Sequence, residues 1–142
     1  MTRYLLGVLF IALLPSVAKA ADVKVTDHSG HSTVVKDVRI DYTSYSLWYT
    51  PDFESEGVRV LQGDATVTVR WSKIEKLTIK GRDAEGAKGT PGIKAEIAIK
   101  NGDKKDVELE MDSKEGLTGE TDLGKYSIHL QDINTIEIVN GD

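Results

Sequence analysis

The chain has 142 residues, 23 of them acidic and 18 basic, a formal charge of −5, and no cysteine. The acidic balance argues against nucleic acid and anionic lipid as partners, and the missing thiols exclude disulfides, a lipidated cysteine and cysteine catalysis. No Walker loop, Gly-x-Ser-x-Gly elbow, His-Glu-x-x-His or calcium loop is present, so no enzyme class is indicated.

Residues 1–20 read as a cleavable signal peptide. Arg3 forms a short basic head, Tyr4 to Leu14 is apolar, Pro15 breaks the run, and Ala18-Lys19-Ala20 supplies the small residues that cleavage needs. The apolar run is well short of the roughly 20 residues that span a bilayer, so no membrane span is expected after cleavage. Arg3 and Lys19 leave with this leader, and the mature chain then keeps 16 of the 18 basic residues against 23 acidic ones, a formal −7. Export without cysteine points to a bacterial periplasm or exterior.

The mature chain begins with a strand in which Val23 and Val25 alternate with polar neighbours, a turn at Ser29-Gly30, and a second strand through Val34, Val35, Val38 and Ile40. The next segment, residues 42–56, concentrates the aromatics: Tyr42, Tyr45, Trp48, Tyr49 and Phe53 are five of the seven in the mature chain. A third strand starts at Gly57, and a fourth carries Val67, Val69 and Trp71. From Trp71 to Ile74 to Leu77 the apolar spacing is three, which predicts a single 3₁₀ turn before a fifth strand resumes the period of two through Ile79.

The pattern then returns. Residues 57–79 lie over residues 116–138 without a gap, so Gly57 matches Gly116, Val69 matches Ile128, Trp71 matches Leu130, Ile74 matches Ile133 and Leu77 matches Ile136. The second copy also opens with a hairpin, Ala95-Ile97-Ile99 and Val107-Leu109-Met111 around Asn101-Gly102. The resulting division is a first β-unit over 21–80 carrying the insertion 42–56, a Gly-rich linker over 81–92, and a second β-unit over 93–142. A flexible linker of that length reaches about 20 Å, enough for docking side by side. Units of about 60 residues are marginal alone, so the halves are expected to pack together.

Val67-x-Val69-x-Trp71-Ser72-Lys73-Ile74-x-x-Leu77-x-Ile79 and its copy from Tyr126 to Ile138 resemble the fourth strand, one-turn corner and fifth strand of small SH3-like or Sm-like barrels. The resemblance implies an all-β fold of two duplicated five-stranded, barrel-like halves; a single β-sandwich is the alternative. It implies no function, because neither the peptide-groove aromatics of the one nor the RNA-loop signature of the other is present at matching positions.

The first copy differs by length. Val38 and Gly57 are nineteen apart, whereas Val107 and Gly116 are nine apart, so ten extra residues fall in the aromatic segment. Its rings suit an apolar protein surface or the C–H faces of a sugar, with Asp52, Glu54 and Glu56 as acceptors, and they equally suit a role as added core. Tyr42, Tyr45, Trp48, Tyr49 and Phe53 are therefore the candidate contact residues.

The other polar groups are weaker candidates. Asp27, His28 and His31 share a hairpin tip but lack the further ligands of a zinc site, and no metal or cofactor is expected. His129 alternates with Ile128 and Leu130 and reads as a surface residue; Asp64 and Asp122 read as turn residues. Lysines 73, 76, 80, 100, 104 and 105 are candidate guards of sheet edges. The function these features suggest is a non-catalytic, exported binding or scaffolding protein of the cell envelope, with a protein partner. A carbohydrate-binding module and a hydrolase using carboxylates are the alternatives.

Overall fold

The computed structural model describes residues 21–43, 51–54, 56–83, 92–109 and 116–140. They form eleven strands: β1 Asp22–Asp27, β2 Ser32–Thr43, β3 Pro51–Glu54, β4 Gly57–Gln62, β5 Ala65–Arg70, β6 Ile74–Asp83, β7 Gly92–Ile99, β8 Lys104–Leu109, β9 Gly116–Thr121, β10 Gly124–His129 and β11 Ile133–Asn140. All are antiparallel to their neighbours in one curled sheet, ordered β10-β9-β2-β1-β11-β6-β7-β8-β4-β5, with β3 added to β2. The fold is all-β, and no α-helix occurs among the described residues.

Alternation produces the faces. Val23 and Val25 on β1, Leu77 and Ile79 on β6, and Ile93, Ala95 and Ile97 on β7 are buried, while Lys24, Lys76, Lys80 and Lys94 beside them are exposed. The step of three gives the expected corners, 3₁₀ turns at Trp71–Lys73 and Leu130–Asp132. Each is closed by the next residue's N–H, Ile74 on the carbonyl of Trp71 and Ile133 on that of Leu130. An i,i+3 pair eclipses in such a turn, which brings Trp71 and Ile74, and likewise Leu130 and Ile133, inward together. All four are buried in one cluster that spans the sheet, where a fully buried isoleucine or leucine contributes about 1.5–3 kcal/mol.

The halves do not each close on their own strands. β2 pairs with β9 of the second copy, and β8 pairs with β4 of the first. One five-stranded set is therefore β11-β1-β2-β9-β10, and the other is β6-β7-β8-β4-β5. Each takes its opening hairpin from one copy and its last three strands from the other. They join at β11 and β6, where Leu77 lies opposite Ile136, its own equivalent in the duplication. Two backbone bonds at the hairpin tips correspond in the same alignment, His28 N–H to the Asp132 carbonyl (3.2 Å) and Lys100 N–H to the Lys73 carbonyl (3.1 Å). The units read from the sequence over 21–80 and 93–142, expected to pack together, thus also pair strands across their division. The physical reason is degeneracy: the third strands of both copies present similar faces to either second strand, so periodicity does not choose between partners.

The linker boundaries also move. β6 continues through Asp83, which pairs with Gly92 of β7, so residues 81–83 and 92 are strand rather than linker. Residues 84–91 lie outside the described residues.

β2 bends between its two tasks. Asp37 has φ +52° at a bulge between Lys36 and Arg39, and Val38 N–H donates to the Ala21 carbonyl at 3.1 Å. Residues 32–35 of β2 pair with β1; β9 pairs with Lys36 and, past the bulge, with residues 39–41, where β3 joins on the other side. β9 passes so close that a Cβ on Gly119 would lie 2.4 Å from Val35 Cγ1 and 2.7 Å from the Lys36 carbonyl oxygen.

Candidate functional site

The far end of β2 and β3 form the stem of the aromatic insertion. Their register sets Ile40 opposite Glu54, Asp41 opposite Phe53, Tyr42 opposite Asp52 and Thr43 opposite Pro51. Tyr42 and Phe53 are thereby brought onto adjacent strands. Tyr45, Trp48 and Tyr49 lie outside the described residues. Asp52 and Glu54 are on β3, and the exposed Glu56 follows it, its carbonyl accepting the Trp71 N–H at 3.0 Å. Among the described residues β3 has no equivalent in the second copy.

Asp41 sits at the base of this hairpin, between Phe53 of β3 and Gly116 of β9. The residue is half-buried, yet its Oδ1 is enclosed and has no hydrogen-bond partner among the described residues. Burial raises its pKa above the usual carboxylate value, against the opposing pull of Arg39. An enclosed carboxylate oxygen without a donor is costly, and such groups in folded proteins call for an explanation. Sequence reading missed Asp41 because the bulge at Asp37 shifts the phase of β2. The available signal was an acid directly beside Ile40 at the start of the aromatic run.

The first hairpin tip has a structural explanation. Asp27 Oδ1 accepts Ser29 N–H (2.9 Å), Ser29 Oγ–H (2.5 Å) and His31 N–H (3.0 Å), forming an Asx turn. The Ser29 hydroxyl is the largest influence lowering the Asp27 pKa, helped by the His31 and Ser29 amides. His28 Nε2–H donates to the Gln131 carbonyl at 2.8 Å, docking the tip onto the second 3₁₀ turn. His129 is an exposed residue of β10. Asp64 and Asp122 occupy the β4–β5 and β9–β10 turns. Among the described residues no group of three or more His, Cys, Asp or Glu is placed to hold a metal ion.

A second feature, unforeseen in sequence, is an open groove of about 460 Å³ bordered by Leu61, Lys80, Lys94, Asp106 and Glu108. Two of its charges, Lys80 and Asp106, pair with each other. Lys80 Nζ lies 2.7 Å from Asp106 Oδ1 and 3.9 Å from Glu96 Oε2, and the bond to Asp106 is the main cause of the raised Lys80 pKa. Lys76 and Lys80 belong to β6, which is paired on both sides, so they do not guard an edge as expected from sequence.

A family described only as an uncharacterised protein matches residues 17–141. The chain belongs to this family. No curated protein and no solved structure matches the chain. The family's description assigns no activity, which leaves the geometry of the hairpin as the guide to function. No helix among the described residues is long and apolar enough to cross a membrane.

Proposed function

We propose that the chain is an exported, non-catalytic binding or scaffolding protein of the bacterial cell envelope that contacts a protein partner through the aromatic hairpin. One observation carries the reading: in a duplicated scaffold, the β2–β3 hairpin is the element without an equivalent among the described residues, and it holds five of the mature chain's seven aromatics. A duplicated strand is explained by the shared core, whereas an added one asks for its own reason. Aromatic side chains with adjacent carboxylates supply large contact area and acceptors for cationic or hydroxyl donors, the composition typical of interface centres. The leader-like residues 1–20 support export. In the same proposal each interleaved five-stranded set is a small barrel of the SH3-like or Sm-like kind.

The test is a Trp48→Ala/Tyr49→Ala variant compared with wild type for saturable binding to solubilised envelope proteins and to purified glycans. The proposal expects protein binding that the variant loses while its thermal unfolding stays unchanged. Loss of folding would assign the rings to the core, undiminished binding would remove the hairpin from the interface, and glycan binding alone would replace the partner class.

A further inference from the structure

The curled sheet ends at β5 and β10, and these ends are not alike. β5 reads Ala65-Thr66-Val67-Thr68-Val69-Arg70 and pairs with β4 in unbroken register, from Gln62–Ala65 to Gly57–Arg70. Residues 65–68 are exposed, and Val67 retains 38% of its surface. From Ala65 to Val69 the strand has no charge, proline or bulge, the devices by which natural edges avoid pairing. Among the described strands it pairs with β4 alone.

We propose that β5 pairs antiparallel with β5 of a second copy, so that the protein is a two-fold dimer continuing the sheet. The bonding pattern follows from the hairpin. Gly63 (φ +62°) and Asp64 form a two-residue turn, so the closing pair Gln62–Ala65 exchanges both hydrogen bonds. Ala65, Val67 and Val69 then direct their backbone groups to β4, while Thr66, Thr68 and Arg70 direct theirs outward.

Centring the two-fold on Val67 satisfies every position. Thr66 exchanges bonds with Thr68 of the second copy, and Asp64 stands against Arg70 at each end. Val67 meets Val67, and Ala65 meets Val69, on the face whose β4 neighbours Val58 and Val60 are buried. Threonine pairs, apolar pairs and opposite charges are the favourable cross-strand combinations. Moving the centre by one residue to Thr68 keeps the bonds outward but sets Arg70 against Thr66 and loses both charge pairs, so the register is specified. β10 lacks this complementarity: the same operation sets Leu123 against His129 and Lys125 against Ser127. Six strands separate the edge used from β2 in the pairing order, so each dimer would carry two aromatic hairpins.

The experiment is sedimentation velocity of the purified protein from about 1 to about 100 µM, a range that resolves dissociation constants of ordinary dimers. A concentration-dependent dimer is expected. Asp64→Arg and Arg70→Asp, each exposed and outside the core, should each weaken it about tenfold, and the double exchange should restore it. Val67→Lys should give a monomer with an unchanged circular dichroism spectrum. A wild-type monomer throughout the range overturns the proposal, as does a dimer indifferent to the single charge reversals or unrestored by the double one.

Discussion

Asp41 is held with one carboxylate oxygen enclosed and without a donor among the described residues, and its folded-state pKa is raised by burial. The sign of the consequence is fixed by linkage: a carboxyl whose folded pKa exceeds its unfolded value destabilises the fold when ionised. Stability from this group is recovered as pH falls through the raised pKa and is complete below the unfolded value near 3.8. Asp27 acts oppositely, because its lowered pKa makes its ionised turn contribute above 3.8 and lose that contribution as pH falls further. Asp41→Asn should therefore raise the urea midpoint at pH 7 and flatten its rise between neutrality and about pH 4. A lower midpoint at pH 7 would mean that the carboxylate is used. The strand opposite approaches Gly57 more closely than it does Gly116. A Cβ on Gly57 would lie 2.0 Å from the Val69 carbonyl oxygen, while one on Gly116 would lie 3.1 Å from the equivalent Ile128 oxygen. Gly57→Ala should cost about 1–3 kcal/mol in chemical denaturation and Gly116→Ala clearly less. Equal costs would contradict the close approach of β4 to β5.

At the scale of elements, each 3₁₀ turn couples the two copies. Lys100 N–H binds the Lys73 carbonyl, and His28 N–H binds the Asp132 carbonyl, so each turn anchors the hairpin of the other copy. Trp71→Ala should cost about 3–5 kcal/mol and Leu130→Ala about 2–5 kcal/mol. In Trp71→Ala, hydrogen exchange should accelerate in β7 and β8 as well as in β4 and β5; acceleration confined to residues 57–80 would contradict the coupling. Both turns were legible in the sequence, because a step of three between runs of two has few structural solutions. The β1–β2 and β7–β8 hairpins were legible for the same reason, alternation bounded by turn residues. β3 was not: Pro51-Asp52-Phe53-Glu54 has too few apolar positions to show a period, and only its pairing with β2 reveals it. The bulge at Asp37 was present in the sequence as the step of three from Val35 to Val38, but both residues are buried, and nothing in the spacing separates a bulge from a turn.

At the scale of the molecule, the all-β class was legible in the alternation, and the pairing of β2 with β9 and of β8 with β4 was not. Val58 and Leu117 are both fully buried at matching positions, so either third strand offers the same apolar knob to either second strand. Sequence reading can count such strands, but the choice among identical-looking partners is made by connection geometry and by the shared core. The interleaving also means that neither copy has a complete sheet of its own, in keeping with the marginal stability of units of about 60 residues. It places the candidate site at a junction, since Asp41 of the first copy packs beside Gly116 of the second. The aromatic hairpin therefore rests on strands from both copies, because β2 pairs with β3 on one side and with β9 on the other.

The exchange is tested most directly by a Lys36→Cys/Glu120→Cys variant, since these exposed residues lie opposite one another on β2 and β9 and the chain has no other cysteine. Oxidation should give an intramolecular disulfide, seen as a faster-migrating monomer on a non-reducing gel, and raise stability by up to about 4 kcal/mol. A chain that stays reduced under conditions that oxidise an exposed thiol pair, or that links only between molecules, would contradict the interleaved fold.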